Sequence, residues 1–251
     1  MTVTLLEGDC IQLMSNIKSG SIDMILADLP FGTTRQSWDK VIDVRQLWGQ
    51  YERIIKQNGA IVLFAKPPFD KMLACSKLEL YRYDWIWEKT RASGHLNANK
   101  MPLQAHEYMC VFYKKAPIYI PQKTELGIPV NQFYSRHSGE CYGSAGALRV
   151  GGGNTDRYPR SVIRCQPVSN GERWHPNQKP VELLKLLIRS YTKKGQLILD
   201  NTMGSGSTIV ASAITGRRCI GMENDTRIFK TAKKRLTKEN IKFFSNFHTT
   251  V

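Results

Sequence analysis

The segment Asp28-Leu29-Pro30-Phe31 places an acid, a proline and an aromatic ring directly after the apolar run of residues 22–27. A carboxylate accepts hydrogen bonds from an amino group, and a carbonyl beside a rigid proline can accept another. The aromatic ring can stack on a planar base. The segment therefore suits an exocyclic amine, although Asp-x-Pro is also an ordinary turn at the end of a strand. Its meaning depends on what the rest of the chain supplies.

A second segment, residues 197–208, runs from an apolar strand through a glycine turn into a predicted helix. Such turns let the backbone approach a nucleotide-like ligand, and the helix N-terminus offers free N–H groups. Gly206-Ser207-Thr208 lacks the lysine of an ATP-binding Walker loop, and Ile209 stands where a dinucleotide motif has its third glycine. S-adenosylmethionine fits better because it has no pyrophosphate. Asp200 could bind its ammonium group, and Glu223, after the next strand, its ribose hydroxyls.

The elements that would position these segments alternate between short apolar strands and stretches of helical period, as in a doubly wound α/β domain. The predicted strands are Ile22–Ala27, Ala60–Ala65, Asp84–Trp87, Tyr108–Tyr113, Gln196–Leu199 and Arg218–Met222. Helical spacing of apolar residues predicts helices over residues 44–55, 181–191 and 209–214, and Asn58-Gly59 is expected to end the first of them. Because most strands are too apolar for a sheet with one wet face, we expect helices on both faces of a mostly parallel sheet.

The composition indicates a globular protein with one sizeable core, or with one core that carries an inserted module, since the chain has 251 residues, 41% of them apolar and 23% charged. Lysine and arginine outnumber the acids by 36 to 21, and the net charge of +15 favours a polyanionic partner such as nucleic acid. Residues 115–174 are basic and rich in glycine and aromatic residues, without a long periodic helix. We therefore predict a catalytic half (residues 1–114), a nucleic-acid-reading insert (115–174) and a cofactor-binding half (175–251).

Several classes of protein are not expected. No segment reaches the ~18 to 20 continuous apolar residues of a membrane span, and the N-terminus lacks the pattern of a signal peptide, so we expect a cytoplasmic protein. The six cysteines form no Cys-x-x-Cys pair and are expected to be reduced thiols. His137, Cys141, Cys165 and His175 lack paired spacing, so no metal site is predicted.

Three segments in one order resemble the motifs of amino-group DNA methyltransferases. Asp28-Leu29-Pro30-Phe31 is similar to their Asp-Pro-Pro-Tyr motif, although Leu29 and Phe31 replace a proline and the tyrosine. Residues 200–206 resemble their S-adenosylmethionine motif, and residues 175–184 resemble the segment that helps cover the methionine end of the cofactor. The order, with an insert between catalytic and cofactor motifs, is similar to that of the β group. The resemblance implies a Rossmann-like methyltransferase fold with permuted motif order and an inserted target-recognition region.

The resemblance also implies roles for individual residues. The catalytic set is Asp28, Pro30 and Phe31. The cofactor-binding set is Asp9, Cys10, Asp28, Lys179, Asp200, Met203, Gly204, Ser205, Gly206, Ser207 and Glu223. Arg35, Lys89, Arg136, Arg157 and Arg160 are assigned to DNA. Two alternatives stay open: Asp9 could simply be a helix N-cap, and Lys179 could be a surface residue beside a helix start.

The implied reaction is transfer of a methyl group from S-adenosylmethionine to the N6 amine of an adenine flipped out of duplex DNA. Cytosine-N4 methylation is the nearest alternative, and Asp rather than Ser at position 28 favours adenine. RNA or protein-glutamine methylation, or a catalytically silent DNA-binding regulator on the same fold, are more distant alternatives. A homodimer and a cognate restriction endonuclease are open questions at this stage.

Overall fold

A computed structural model of the chain describes residues 2–32, 39–130, 133–135, 149–169, 171 and 173–245. It contains two compact units, one formed by Met1–Ile120 with Ser161–Val251 and the other by Pro121–Arg160. The strands, numbered along the chain, are β1 (Val3–Glu7), β2 (Ile22–Asp28), β3 (Ile55–Ala65), β4 (Tyr81–Ser93), β5 (Gln104–Phe112), β6 (Thr124–Glu125), β7 (Phe133–Ser135), β8 (Arg149–Gly151), β9 (Asp156–Arg157), β10 (Val162–Cys165), β11 (Leu197–Asp200) and β12 (Arg218–Glu223). The helices are α1 (Cys10–Ser15), α2 (Val44–Ile54), α3 (Phe69–Ser76), α4 (Val181–Tyr191), α5 (Ser207–Thr215) and α6 (Thr226–Lys238).

The first unit is built on an eight-stranded sheet of order β1-β12-β11-β2-β3-β5-β4-β10. All neighbouring strands are parallel except at β5, which runs antiparallel to both β3 and β4. The carboxyl ends of β2, β3, β4, β11 and β12 therefore meet at one edge of the sheet. In the second unit, β6 pairs with β9 and β7 with β8, both antiparallel.

Helices cover both faces of the sheet, as predicted. Alternate side chains of β2 enter opposite cores: Met24 belongs to one, and Ile25 belongs to the other. Residues of α4, α5 and α6 complete the first core, and residues of α1, α2 and α3 complete the second. The predicted Rossmann-like α/β fold is thus confirmed. Among the described residues, no helix is both long and apolar enough to cross a membrane.

All six predicted strands are present, but the sequence reading missed two strands of the main sheet. These are β1 at its edge and β10, which lies inside the predicted insert 115–174 and pairs with β4. The expected helix stop at Asn58-Gly59 is wrong, because α2 ends at Ile54 and both residues lie within β3. A Cβ at Gly59 would stand 2.7 Å from Ile55 Cδ1 and 3.0 Å from the Asp23 carbonyl oxygen. This glycine thus permits close packing at a register shift between β2 and β3, where helix termination had been expected.

Gly221 in β12 offers a test of packing behind the glycine turn of residues 203–206. A Cβ there would stand 2.5 Å from Met203 Sδ and 2.6 Å from Ile209 Cδ1. We expect Gly221→Ala to lower the free energy of unfolding by about 1 to 3 kcal/mol through overpacking, measured by urea denaturation. Gly49→Ala in α2 is the matched control, since nothing lies within 4 Å of its Cβ position. It should instead stabilise by about 0.5 to 1 kcal/mol, and equal effects of the two variants would contradict the prediction.

Candidate active site

A cavity of about 1130 Å³ opens at the carboxyl edge of the main sheet. It gathers most of the residues that the sequence assigned to chemistry. Those that line it are Asp9, Cys10, Asp28, Pro30, Phe31, Lys89, Lys179, Asp200, Met203, Gly204, Ser205, Ser207 and Glu223. Gly206 does not line the cavity. It is the N-cap residue of α5 and has a φ of 80°. The two sequence segments that were singled out first therefore face one space.

Strand pairing brings those two segments together. β2 and β11 lie side by side and parallel, with Met24 opposite Ile198, so Asp28 and Asp200 stand at neighbouring strand ends. The Thr202 hydroxyl donates to the Asp28 carbonyl oxygen at 3.1 Å, and the Thr202 N–H donates to Asp200 Oδ1 at 3.1 Å. The glycine turn is thus tied directly to the Asp28 segment.

The glycine turn is held by an acidic side chain from the neighbouring strand. Glu223, at the end of β12, accepts the Gly204 N–H at 3.0 Å and the Asp225 N–H at 2.9 Å. Burial raises the pKa of the Glu223 carboxyl, against the lowering effect of these N–H donors. Gly204 itself has a φ of 53°, a conformation that favours glycine.

A buried arginine of α6 supports the same turn from below. Arg235, 2% exposed, donates from Nη1 to the Ser205 carbonyl oxygen at 3.2 Å and to Ser207 Oγ at 2.9 Å, while its Nε pairs with Glu239 at 2.9 Å. The sequence reading missed this residue among the many basic residues of the C-terminal helix. Its spacing from Ala232 and Leu236 places it beside the apolar face, which is the signal that could have found it.

Four side chains of alternating charge run across the floor of the cavity, and we call them the charge chain: Asp28, Lys179, Glu107 and Lys89. Lys179 Nζ lies 2.6 Å from Asp28 Oδ2 and 3.3 Å from Glu107 Oε2, and Lys89 Nζ lies 2.5 Å from Glu107 Oε1. The side chains of Lys179 and Glu107 are only 8% and 9% exposed. Asp28 Oδ1 is also buried and has no hydrogen-bond partner among the residues that the structure describes.

Ionisation in the charge chain reflects burial opposed by the neighbouring charges. Burial raises the pKa of Asp28, and the Lys179 ammonium only partly offsets this effect. Burial disfavours the charged form of Lys179, but the carboxylates of Asp28 and Glu107 outweigh it and raise its pKa to about 12. Burial likewise opposes the charge of Glu107, yet Lys179 and Lys89 hold its pKa below the ordinary value. Lys179 and Glu107 are therefore charged at neutral pH.

Aromatic side chains form the rest of the wall around Asp28. The half-buried ring of Phe31 packs against Phe69 with centroids 5.3 Å apart, and Lys66 Nζ lies 5.4 Å from its centroid. Trp87 is anchored by an Nε1 hydrogen bond of 2.8 Å to the Cys165 carbonyl oxygen. These rings give the cavity a planar, apolar side next to the acid.

The structure places the other predicted site residues in different surroundings. Asp9 is a helix N-cap, since Oδ1 accepts the Gln12 N–H at 3.0 Å, and it lines the cavity as well. Lys179 is buried, so the alternative of a surface residue is wrong. Lys89, assigned to DNA, lies in the charge chain and pairs with Glu107. Arg157 donates to the Ile128 carbonyl oxygen at 2.7 Å within the second unit, and Arg160 is exposed.

Arg35 and Arg136 lie outside the described residues, and a role on DNA stays a prediction for all five basic residues. Glu107 was not among the predicted site residues, although it belongs to the charge chain. Asn201 was also missed; its side chain accepts from the Tyr51 hydroxyl at 2.5 Å and donates to Cys10 Sγ at 3.6 Å. A charged residue at the start of a buried strand was the available signal for Glu107.

The ionisation of Asp200 predicts how stability depends on pH. Burial raises its pKa to about 7, so the folded protein keeps a proton that the unfolded chain releases from about pH 4 upward. Stability contributed by this group therefore falls as pH rises between those values. The unfolding free energy of the unsubstituted protein should decrease between pH 5 and pH 8. We expect this decrease to be about 2 to 3 kcal/mol smaller in Asp200→Asn. Asp43→Asn, which keeps an N-cap side chain on α2, is the control. Parallel stability curves for all three proteins would contradict the prediction.

Comparison with known proteins agrees with this architecture. The family model described as DNA methylase matches residues 22–234. The chain is 25% identical to the type II methyltransferase M2.LlaDCHI of Lactococcus lactis subsp. cremoris over 262 residues, which cover 93% of this chain and 89% of that protein. It is 23% identical to the DNA adenine methyltransferase YhdJ of Escherichia coli (strain K12), with 93% and 82% covered.

Among solved structures, the M1.HpyAVI–SAM complex is similar in fold, with a TM-score of 0.63 at 23% identity over 94% of this chain and 99% of that one. The family model spans most of the chain, including both the Asp28 segment and the glycine turn. The chain therefore belongs to the DNA methylase family, and its motifs follow the order of the β group.

Proposed function

We propose that this protein is a site-specific DNA methyltransferase that methylates the N6 amine of an adenine flipped out of duplex DNA, with S-adenosylmethionine as methyl donor. The observation that carries the proposal is the buried Asp28 Oδ1, unpartnered within the described chain, in the same cavity as the glycine turn. Membership of the DNA methylase family supports the reaction class. Adenine rather than cytosine is favoured by an acid at position 28 and by relatives such as the adenine methyltransferase YhdJ.

The residues of the glycine turn fit S-adenosylmethionine. S-adenosylmethionine has no pyrophosphate, so a single glycine turn suffices to bind it. Gly204 lets the backbone of the turn approach the ligand closely. Asp200 and Glu223 are buried acids that would meet the ammonium group and the ribose hydroxyls, and together they favour a cationic ligand. Asp9, Cys10, Met203 and Lys179 line the same cavity. When bound, S-adenosylmethionine supplies a methyl group activated by a positively charged sulfur.

The Asp28 segment would bind and orient the target amine. Asp28 Oδ1 accepts one N6–H, and a main-chain carbonyl beside Pro30 accepts the other. These two hydrogen bonds localise the nitrogen lone pair, which is otherwise delocalised into the base. Phe31 stacks on the base and offsets part of the cost of flipping, which is a few kcal/mol. After transfer, the proton leaves an acidic ammonium, for which Asp28 is the nearest candidate acceptor.

Lys179 makes the two carboxylate oxygens of Asp28 inequivalent. Its ammonium occupies Oδ2 at 2.6 Å, which leaves Oδ1 as the oxygen for the amine. Glu107, shared between Lys179 and Lys89, balances the positive charge that would otherwise accumulate beside Asp28. We assign Glu107 a positioning role, because it acts on the target through Lys179.

Double-stranded DNA is the proposed macromolecular substrate, and the basic second unit of residues 121–160 is the proposed target-recognition region. The wider predicted insert, residues 115–174, also includes β10 of the main sheet. A cytoplasmic location fits an enzyme that acts on cellular DNA. A cognate restriction endonuclease fits relatives that are type II methyltransferases, such as M2.LlaDCHI, and a homodimer stays a prediction.

Asp28→Asn tests the proposed chemistry. Without the carboxylate, the amine loses its charged acceptor, and we expect single-turnover methyl transfer to DNA to fall at least about a hundredfold. Transfer of labelled methyl groups is measured at saturating S-adenosylmethionine, and Glu79→Gln, at an exposed acid that does not line the cavity, is the control. Sequencing with detection of modified bases should find N6-methyladenine in a short fixed sequence.

Three outcomes separate the alternatives. N4-methylcytosine would point to the cytosine reaction. If the unsubstituted protein binds DNA without methylating it, and Asp28→Asn binds equally well, the chain is a silent regulator. Full activity of Asp28→Asn would exclude the proposed role of the carboxylate.

Glu107→Gln tests the positioning role through the pH profile. The negative charge of Glu107 raises the pKa of Asp28, so its removal should shift the acid limb of kcat/KM to lower pH. The rate at the optimum should fall, because Lys179 loses one of its two carboxylate partners. Activity is measured well below the unfolding temperature, since an unpaired buried lysine lowers stability. Glu52→Gln, which breaks a more exposed pair with Lys77, should leave the profile in place. An unmoved acid limb in Glu107→Gln would assign Glu107 to structure alone.

A further inference from the structure

The hairpin between β4 and β5 carries apolar side chains into solvent beside the cavity. We call residues 94–103 the hairpin tip. Leu96 is fully exposed, and Met101 and Leu103 are 59% and 38% exposed. Large exposed apolar side chains that cluster at the rim of a site mark a surface that binds something.

The hairpin tip stands on the open side of the active site. His106 in β5 directly precedes Glu107 of the charge chain. The last paired residues of the hairpin, Ser93 and Gln104, lie two β5 residues beyond His106, which is about 7 Å along the strand. Arg91, Ser93 and Gln104 line the same cavity as Asp28. A base that enters the cavity from this side comes from a duplex held against this rim.

The tip is folded in a way that presents Leu96 outward. His95–Asn97 form one turn of 3-10 helix, and the Asn97 N–H donates to the Gly94 carbonyl oxygen at 2.9 Å. The Met101 N–H donates to the Asn97 carbonyl oxygen at 3.0 Å. Little ordering entropy would be lost when such a turn meets a partner.

Charge favours DNA over a second copy of this basic chain as the occupant of the surface. Residues 89–103 include Lys89, Arg91 and Lys100 but no aspartate or glutamate. Arg91 and Lys100 are exposed and could reach phosphates on either side of the tip. Apolar side chains in DNA-bending proteins insert between base steps, and a flipped base leaves a gap of that kind.

We propose that the hairpin tip contacts duplex DNA beside the target base and that Leu96 fills the space that the base vacates. This inference rests on the proposed function. Leu96 then acts as a wedge that stabilises the flipped state, while Lys100 adds a phosphate contact.

The test uses a duplex with the methylated sequence found by sequencing, with 2-aminopurine in place of the target adenine. Its fluorescence rises when the base unstacks. We expect Leu96→Ala to reduce the flipping equilibrium roughly tenfold, in line with the apolar area lost from the stack. Leu96→Met should retain most of the signal. Leu78→Ala, at another exposed leucine (65%), is the matched control and should behave like the unsubstituted protein.

Salt dependence tests the phosphate contact separately. Lys100→Ala should reduce the slope of log affinity against log salt concentration by about 1. Lys18→Ala, before the amino end of β2 and so at the opposite edge of the sheet, should leave the slope unchanged.

The outcomes distinguish this inference from the proposed function. If the unsubstituted protein methylates DNA and Leu96→Ala flips the base equally well, only the wedge is overturned. If Leu96→Ala instead dissociates a dimer in sedimentation experiments, with DNA binding and flipping unchanged, the surface binds a second copy and the inference is also overturned. If the unsubstituted protein methylates no DNA, the proposed function and this inference fail together.

Discussion

The parallel pairing of β2 with β11 is the constraint on which the site depends. The register is set by Met24 against Ile198 and Ile25 against Leu199, all fully buried residues. A slip of one strand by one residue would turn that strand's side chains to the opposite cores, so the packing of both cores opposes any change in where the strands end. That ending puts Asp28 beside Asp200, although about 170 residues separate them along the chain. The Thr202 hydrogen bonds, the Glu223 contact and the charge chain all extend from this junction.

Concentrating ionisable groups at the junction carries an energetic cost that the alternation of sign reduces. Burial raises the pKa values of Asp28, Asp200 and Glu223 alike. Lys179 and Lys89 compensate where two carboxylates stand close together, whereas Asp200 relies on the Thr208 hydroxyl and the Thr202 N–H, and Glu223 on backbone N–H donors. The two halves of the cavity thus solve the same desolvation problem by different means.

The strongest sequence signals were the uninterrupted apolar runs, which located β2, β11 and β12 to within about two residues. Weak signals failed for physical reasons. In β10, Val162–Cys165, exposed residues alternate with half-buried ones at the sheet edge. The sequence therefore has no apolar run that would predict this strand. Gly59 looked like a helix stop, but the approach of β2 gives it a different task that only tertiary structure reveals.

The site residues divide in the same way. Motif residues such as Asp28 and Asp200 lie at the ends of parallel strands, where the sequence reading expected ligands to bind. Glu107 reaches the same edge from the beginning of β5, because that strand runs antiparallel to its neighbours. Arg235 supports the glycine turn from a helix whose other basic residues are mostly at the surface. For both residues the local sequence signal is weak, and only the tertiary structure shows what the side chain contacts.

Because of the charge chain, the local electric field in the cavity differs from the long-range field of the whole protein. The whole protein carries a net charge of +15, yet the two lysines and two carboxylates of the charge chain sum to zero. A polyanion is drawn to the exterior, whereas the charge chain offers a phosphate group no net attraction, and an uncharged base enters without a charge penalty of its own. For the proposed DNA substrate, this difference in charge distinguishes the phosphate backbone from the base before any hydrogen bond to the base is made.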